Sequence, residues 1–164
     1  MEKKPTKYYS SKQENMIADY LGWSVTPASG ARNFNPGDVK SSDWLAECKT
    51  HTSPKDRIHI KKEVWLKLAN EAKSSFKSPV LIIDNGTQRA ENTWCVFPKR
   101  LCSSDMSTVQ GFSCIESDKS YSFSHARALS LFTDSNCFEI MIHNQSLLLV
   151  KAKFFKNMIC GGDD

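Results

Sequence analysis

The chain has 164 residues, 40% of them hydrophobic and 24% charged, with a net charge of +4, which fits one soluble globular domain large enough to bury a core without staples. No apolar run reaches membrane-spanning length, and the lysine-rich stretch 1–11 reads as neither signal peptide nor anchor. Six cysteines at 48, 95, 102, 114, 137 and 160 form no CxxC pair, so neither a zinc site nor a disulfide framework is indicated and reduced cytoplasmic thiols are expected.

The first predicted element is a helix from Ser11 to about Leu21, with Met16, Ile17, Tyr20 and Leu21 as its apolar stripe. Glu14 has two readings. Ser11-x-x-Glu14 fits a capping box, and the same glutamate lies at the rim of the stripe, where it could face a site between helix and sheet. A short strand over Gly22 to Val25 precedes a polar loop, Thr26 to Pro36. There Gly30 allows close backbone approach, while Ser29, Arg32 and Asn33 offer donors suited to phosphate oxygens, although a plain surface loop reads equally well.

Asp38 and the segment Trp44 to Lys49 then predict a hairpin, with Ser41-Ser42-Asp43 as the turn. In a strand, residues i and i+2 share a face, so Glu47 and Lys49 project together while Trp44, Ala46 and Cys48 take the apolar side. Folding the turn brings Asp38 beside Glu47. Two converging carboxylates suit a hard divalent cation, and an adjacent lysine can stabilise charge developing on phosphoryl oxygens. An edge hairpin with ordinary exposed charges satisfies the same pattern.

Beyond the hairpin, Arg57 to Ile60 leads into a helix from about Lys61 to Lys77 whose buried stripe is Val64, Trp65, Leu68, Ala69, Ala72 and Phe76. Pro79 to Asp84 and Thr93 to Phe97 read as buried strands. The C-terminal part, from about Leu101, predicts a strand over Val109 to Ile115, a helix over Ser124 to Phe132, a strand over Phe138 to His143, a turn at Asn144-Gln145, a strand over Leu147 to Val150, and a basic amphipathic end carrying Lys151, Lys153 and Lys156. That end suits core packing, with dimerisation or a DNA-arm contact as the sharper reading. His51, His59, His125 and His143 form no catalytic pair. Cys95, Cys102 and Cys114 with His125 could hold zinc, but Cys95 sits in an apolar run. Residues 1–80 hold 14 Lys and Arg against 9 Asp and Glu, and residues 81–164 hold 8 against 9, so the basic charge travels with the carboxylate motif, as a polyanionic partner would require.

The ordered set Glu14, Ala28-Ser29-Gly30, Pro36-Gly37-Asp38 and Glu47-Cys48-Lys49-Thr50, followed by a helix and a strand through Ile83, resembles the PD-(D/E)XK nuclease superfamily, in particular archaeal-type Holliday junction resolvases and their phage relatives. The resemblance covers about half the chain. It implies a restriction-endonuclease-like α/β fold with a central mixed β-sheet flanked by helices, as one nuclease domain over 1–164 with its motif-bearing core at about 10–98. It also implies a homodimer acting on four-way or other branched DNA, with Mg²⁺ or Mn²⁺ as cofactor, in a prokaryotic cytoplasm or a phage-infected host. Asp38, Glu47 and Glu14 would be the metal ligands, and Lys49 the catalytic lysine. Ser29 would stand near the scissile phosphate, with Gly30, Arg32, Asn33, Lys61 and Lys62 contacting DNA. Cleavage would proceed by in-line attack of water on phosphorus, leaving a 5′-phosphate. A nuclease of the same fold acting on ordinary duplex or DNA ends, and a catalytically silent DNA-binding relative, are the other readings. Gly37 departs from the proline in the superfamily's name.

Overall fold

The most apolar stretches of the chain become the middle of one sheet. In the computed structural model, which describes residues 2–27, 36–103 and 105–161, strands β1 (Ser24–Val25), β2 (Val39–Lys40), β3 (Trp44–Lys49), β5 (Ser78–Asp84), β6 (Thr93–Pro98), β7 (Ser107–Thr108), β10 (Asn136–Ile142) and β11 (Gln145–Lys151) form a mixed sheet in the order β1-β2-β3-β5-β6-β11-β10-β7. The β3–β5 and β10–β7 pairs are parallel and the others antiparallel. Every residue of β6 is buried, and so is every residue of β5 after Ser78. Such continuous burial needs cover on both faces.

That cover comes from two helical layers. Helices α1 (Thr6–Leu21) and α4 (Ala152–Ile159) lie on one face, where Ile17, Leu21, Phe154 and Phe155 pack with Ala46, Cys48, Val80, Ile82, Cys95 and Phe97. On the other face α2 (Lys62–Ser74) and α3 (His125–Leu131) contribute Trp65, Leu68, Ala72 and Ala128 to a core with Leu45, Leu81, Ile83, Trp94 and Val96. A small antiparallel sheet, β4 (Arg57–Lys61), β9 (Ser120–Ser124) and β8 (Ile115–Glu116), closes this second layer. Its apolar residues Ile58, Ile60, Tyr121 and Phe123 are buried against the same core. The two fully buried tryptophans satisfy their indole N–H groups: Trp94 donates to His125 Nδ1 at 3.0 Å and Trp65 to Gln145 Oε1 at 3.2 Å.

Several expectations need correction. The first helix begins at Thr6, directly after Pro5, which is extended at φ −65° and ψ 154°; proline opens a helix without losing an amide partner. Ser11 is therefore interior, and the capping box fails. The second helix stops at Ser74, and Phe76, expected in its stripe, is 97% exposed at φ 55°. The reversal is fixed when Lys77 N–H returns to Ala72 and the Lys77 ammonium caps the Ser41 and Ser42 carbonyls.

The expected strand over Val109 to Ile115 is instead a loop between β7 and β8. The chain turns there to seat Phe112 edge-to-face among Phe123, Phe132 and Phe138. The reversal expected at Asn144-Gln145 falls one residue earlier: His143 and Asn144 carry φ 47° and 61°, and Ile142 pairs with Gln145. Two left-handed residues in a two-residue hairpin match the twist of the flanking strands. Cys95 and Cys114 point into cores on opposite faces of the sheet, which separates the trio considered for zinc, and none of the six cysteines forms a disulfide. No helix among the described residues is long and apolar enough to cross a membrane.

Candidate active site

The β2–β3 hairpin positions the acidic pair. Val39 stands opposite Ala46 and both face the α1 layer, so alternation turns Asp38 and Glu47 to the opposite face. The Asp38 carboxylate is held in place: its Oδ2 accepts the Cys48 N–H at 2.8 Å, while its own N–H donates to the Ala46 carbonyl at 2.8 Å. Cys48 is buried on the other side, as the sequence suggests, and burial pushes its thiol pKa well up, so it is an inert spacer. Leu45, however, is fully buried on Glu47's own face. The strand is thus buried on both sides for most of its length, and only its last residues open to solvent.

Gly37 explains the departure from proline. Its φ is +75°, a conformation closed to proline, and a Cβ there would stand 2.5 Å from Leu45 Cδ1 and 3.2 Å from the Ala46 carbonyl oxygen. The close approach of Gly37 to β3 delivers Asp38 to its position beside Cys48.

Lys49 Nζ lies 2.9 Å from Glu47 Oε1. Burial works against the lysine's charge, and Glu47 and Asp38 more than offset it, leaving the lysine pKa raised. Glu14, on α1, lies within electrostatic reach of these charges. Its pKa is pushed up to about 7, first by burial and then by the Asp38 and Glu47 carboxylates, with Lys49 and Lys7 opposing. All four charged residues singled out in the sequence therefore share one electrostatic neighbourhood, assembled from a helix and two strands. The Ser29, Gly30, Arg32 and Asn33 loop lies outside the described residues. Lys61 is exposed. Lys62 is engaged by Glu116 at 2.9 Å and lies 5.1 Å from the Tyr121 ring centroid.

Among the described residues, no three His, Cys, Asp or Glu side chains form a ready-made metal-holding group. The donor set still fits one class of ion. Mg²⁺ and Mn²⁺ take oxygen ligands, and Mg²⁺ commonly binds through one or two carboxylates with the remaining positions filled by water and substrate phosphate. Asp38 and Glu47 supply that pair, and a cation there would relieve the mutual repulsion that raises Glu14.

The sequence reading missed the residues that hold the end of β3. Gln13, 1% exposed, donates from Nε2 to the Lys49 carbonyl at 2.7 Å, and its Oε1 is buried without a hydrogen-bond partner among the described residues. Thr50, the next residue, donates to Asp84 Oδ1 at 2.7 Å and accepts from Gln88 Nε2 at 2.9 Å. Gly86 N–H also reaches Asp84 Oδ1, at 2.6 Å. A polar residue ending an otherwise apolar strand, as Asp84 does, was the available signal. His51 and His59, which the sequence gives no catalytic partner, line a cavity of about 420 Å³ together with Lys49, Thr50, Lys61, Val64, Leu81 and Ile83.

No family model matches the chain, and neither a curated protein nor a solved structure matches it.

Proposed function

We propose that this chain is a metal-dependent DNA endonuclease of the PD-(D/E)XK type, acting as a homodimer on four-way or otherwise branched DNA. The observation that carries the reading is the hairpin geometry. Asp38 and Glu47 share the face of the sheet that carries Lys49, and Asp38 is locked by the Cys48 amide. The order of helix, hairpin, helix, parallel strand and antiparallel strand supports the same reading.

In this reading Asp38 and Glu47 would hold Mg²⁺ or Mn²⁺, with Glu14 completing the acidic set. The ion supplies Lewis-acid polarisation of a phosphoryl oxygen and lowers the pKa of water. The protein's own residues do the rest. Lys49 places a positive charge beside the phosphoryl oxygens, where charge develops as water attacks and the 3′-oxygen departs. The Gln13 and Thr50 hydrogen bonds fix the backbone on either side of the Lys49 carbonyl, so that its side chain starts from a set position.

The test is cleavage of an immobile four-way junction, a flap and a linear duplex in Mg²⁺, with and without chelator. Paired symmetric nicks at the junction, abolished by chelator, are the expected result. Glu47→Ala is expected to lower the nicking rate by about a thousandfold or more while junction retention in gel shift persists, since it removes a metal ligand and no phosphate donor. Nicking by Glu47→Ala at the wild-type rate, or in chelator, overturns the assignment. Indiscriminate duplex degradation moves the substrate to ordinary DNA.

A further inference from the structure

The cavity beside Lys49 has a composition that neither phosphodiester chemistry nor duplex binding calls for. Its floor is apolar: Leu81 and Ile83 are strand partners of Glu47 and Lys49 and so lie on the same face of the sheet, with Val64 from the first turn of α2 beside them. Its rim carries the ammonium-bearing Lys49, paired with Glu47 at 2.9 Å, and Lys61, with the imidazoles of His51 and His59, and among the described residues no acidic side chain lines the cavity itself. Ile58 and Ile60 point into the core, so alternation sends His59 and Lys61 out from β4 toward this space. The rim is also pre-set, because Thr50 is fixed to Asp84 and the His51 carbonyl accepts Gln88 Nε2 at 3.1 Å.

An apolar floor beneath a cationic rim suits a ligand with a flat apolar body and an anionic group. At about 420 Å³ the space falls within the ~300–1,000 Å³ of small-molecule sites and cannot admit a double helix. We propose that this cavity binds an unpaired nucleotide of the cleaved strand, its base over Leu81, Ile83 and Val64 and against His59, and its phosphate toward Lys49 and Lys61. The identity of the strand rests on the endonuclease reading; the nucleotide pocket itself does not. A second cavity of about 540 Å³ shares His59 and Lys61 and continues to Lys62 and Lys119, past Glu63 and Asp118, giving the strand a way out along β4 and the turn before β9. Exposing a base in this manner costs least where duplex is interrupted, as at a branch or flap.

The test uses the full chain, isotopically labelled, in chelator, titrated with thymidine 5′-monophosphate and with a thymidine tetranucleotide. Amide shifts are expected at His51, His59, Val64, Leu81 and Ile83. Val64→Trp, which fills the cavity, and His59→Ala, an exposed position whose loss leaves the core intact, are each expected to weaken tetranucleotide binding about tenfold, the size of one lost base-stacking contact. Shifts confined to other residues, or wild-type affinity in both variants, overturn the proposal. Junction cleavage in Mg²⁺ separates the two hypotheses. Wild-type nicking with no rise in KM in either variant removes the pocket and leaves the nuclease. Mononucleotide shifts at the five residues without cleavage of any DNA remove the nuclease and leave the pocket.

Discussion

Glu14 and Asp84 belong to two acidic regions at the same end of the sheet, one on each side of Lys49, and both carboxyl groups have raised pKa values. Their surroundings differ in kind. Around Asp84 burial does the raising, and hydrogen-bond donors oppose it: the Thr50 hydroxyl, the Gly86 and Gln88 amides, then the charge of His51. Around Glu14 burial is reinforced by two further carboxylates. A buried acid surrounded by donors anchors a loop, and removing it leaves those donors unpaired. Three acids within electrostatic reach of one another repel, and a proton or a cation relieves that repulsion. The first arrangement holds a loop through Asp84 Oδ1, while its Oδ2 is buried without a partner among the described residues; in the proposed function the second would be completed by a cation.

Asp84→Ala strands the Thr50 hydroxyl and the Gly86 amide in a buried setting, which is expected to cost about 3 kcal/mol of stability, measured by urea unfolding. Gly86 makes this loop unforgiving: a Cβ there would stand 2.3 Å from the Ser53 carbonyl oxygen, so the chain has no slack to re-pair its groups. Because Thr50 adjoins Lys49, nicking is expected to fall with stability, although Asp84 touches no substrate. If Asp84→Ala unfolds at the wild-type urea midpoint, the anchoring role is wrong.

Gly37→Ala comes next. The left-handed φ and the 2.5 Å approach to Leu45 Cδ1 are expected to cost about 2 kcal/mol together. The distortion falls on Asp38, the neighbouring residue, so the nicking rate should drop at least tenfold with KM nearly unchanged. An unchanged rate would mean that Asp38 is not held by the approach of Gly37 to β3.

How far these regions were legible in the sequence differs for physical reasons. The hairpin could be read because strand alternation is local: Glu47-Cys48-Lys49 fixes its own faces whatever else the chain does. The strands at Pro79 to Asp84 and Thr93 to Phe97 could be read because unbroken apolar runs admit few alternatives. The small sheet was missed although Ser120 to Ser124 alternates serine with Tyr121 and Phe123, a short period-2 pattern among polar neighbours, and its partner β4 lies some sixty residues earlier in the chain. Phe76 was misplaced because helical periodicity was extended past the residue where tertiary contacts of Lys77 end the helix. Asp84 ends its strand as expected, but its anchoring role was missed because nothing local announces that Thr50 and the Gln88 amide will meet it.

The smallest expected effect has the opposite sign from the others. Glu14 titrates near 7 in the folded chain against an ordinary 4.5, so between those values the folded protein holds a proton that the unfolded chain has released. Stability contributed at this site therefore declines as pH rises through that window, and the full penalty is present above about pH 7. Glu14→Gln removes the ionisation and is expected to raise stability at pH 8 by roughly 1 kcal/mol after solvent screening, and to leave it unchanged at pH 4. Nicking should fall at the same time, and addition of Mg²⁺ should raise the melting temperature of the wild type more than that of the variant. A variant less stable than wild type at pH 8 would mean that neither burial nor the Asp38 and Glu47 charges penalise the Glu14 carboxylate, and the acidic cluster would reduce to the hairpin pair alone.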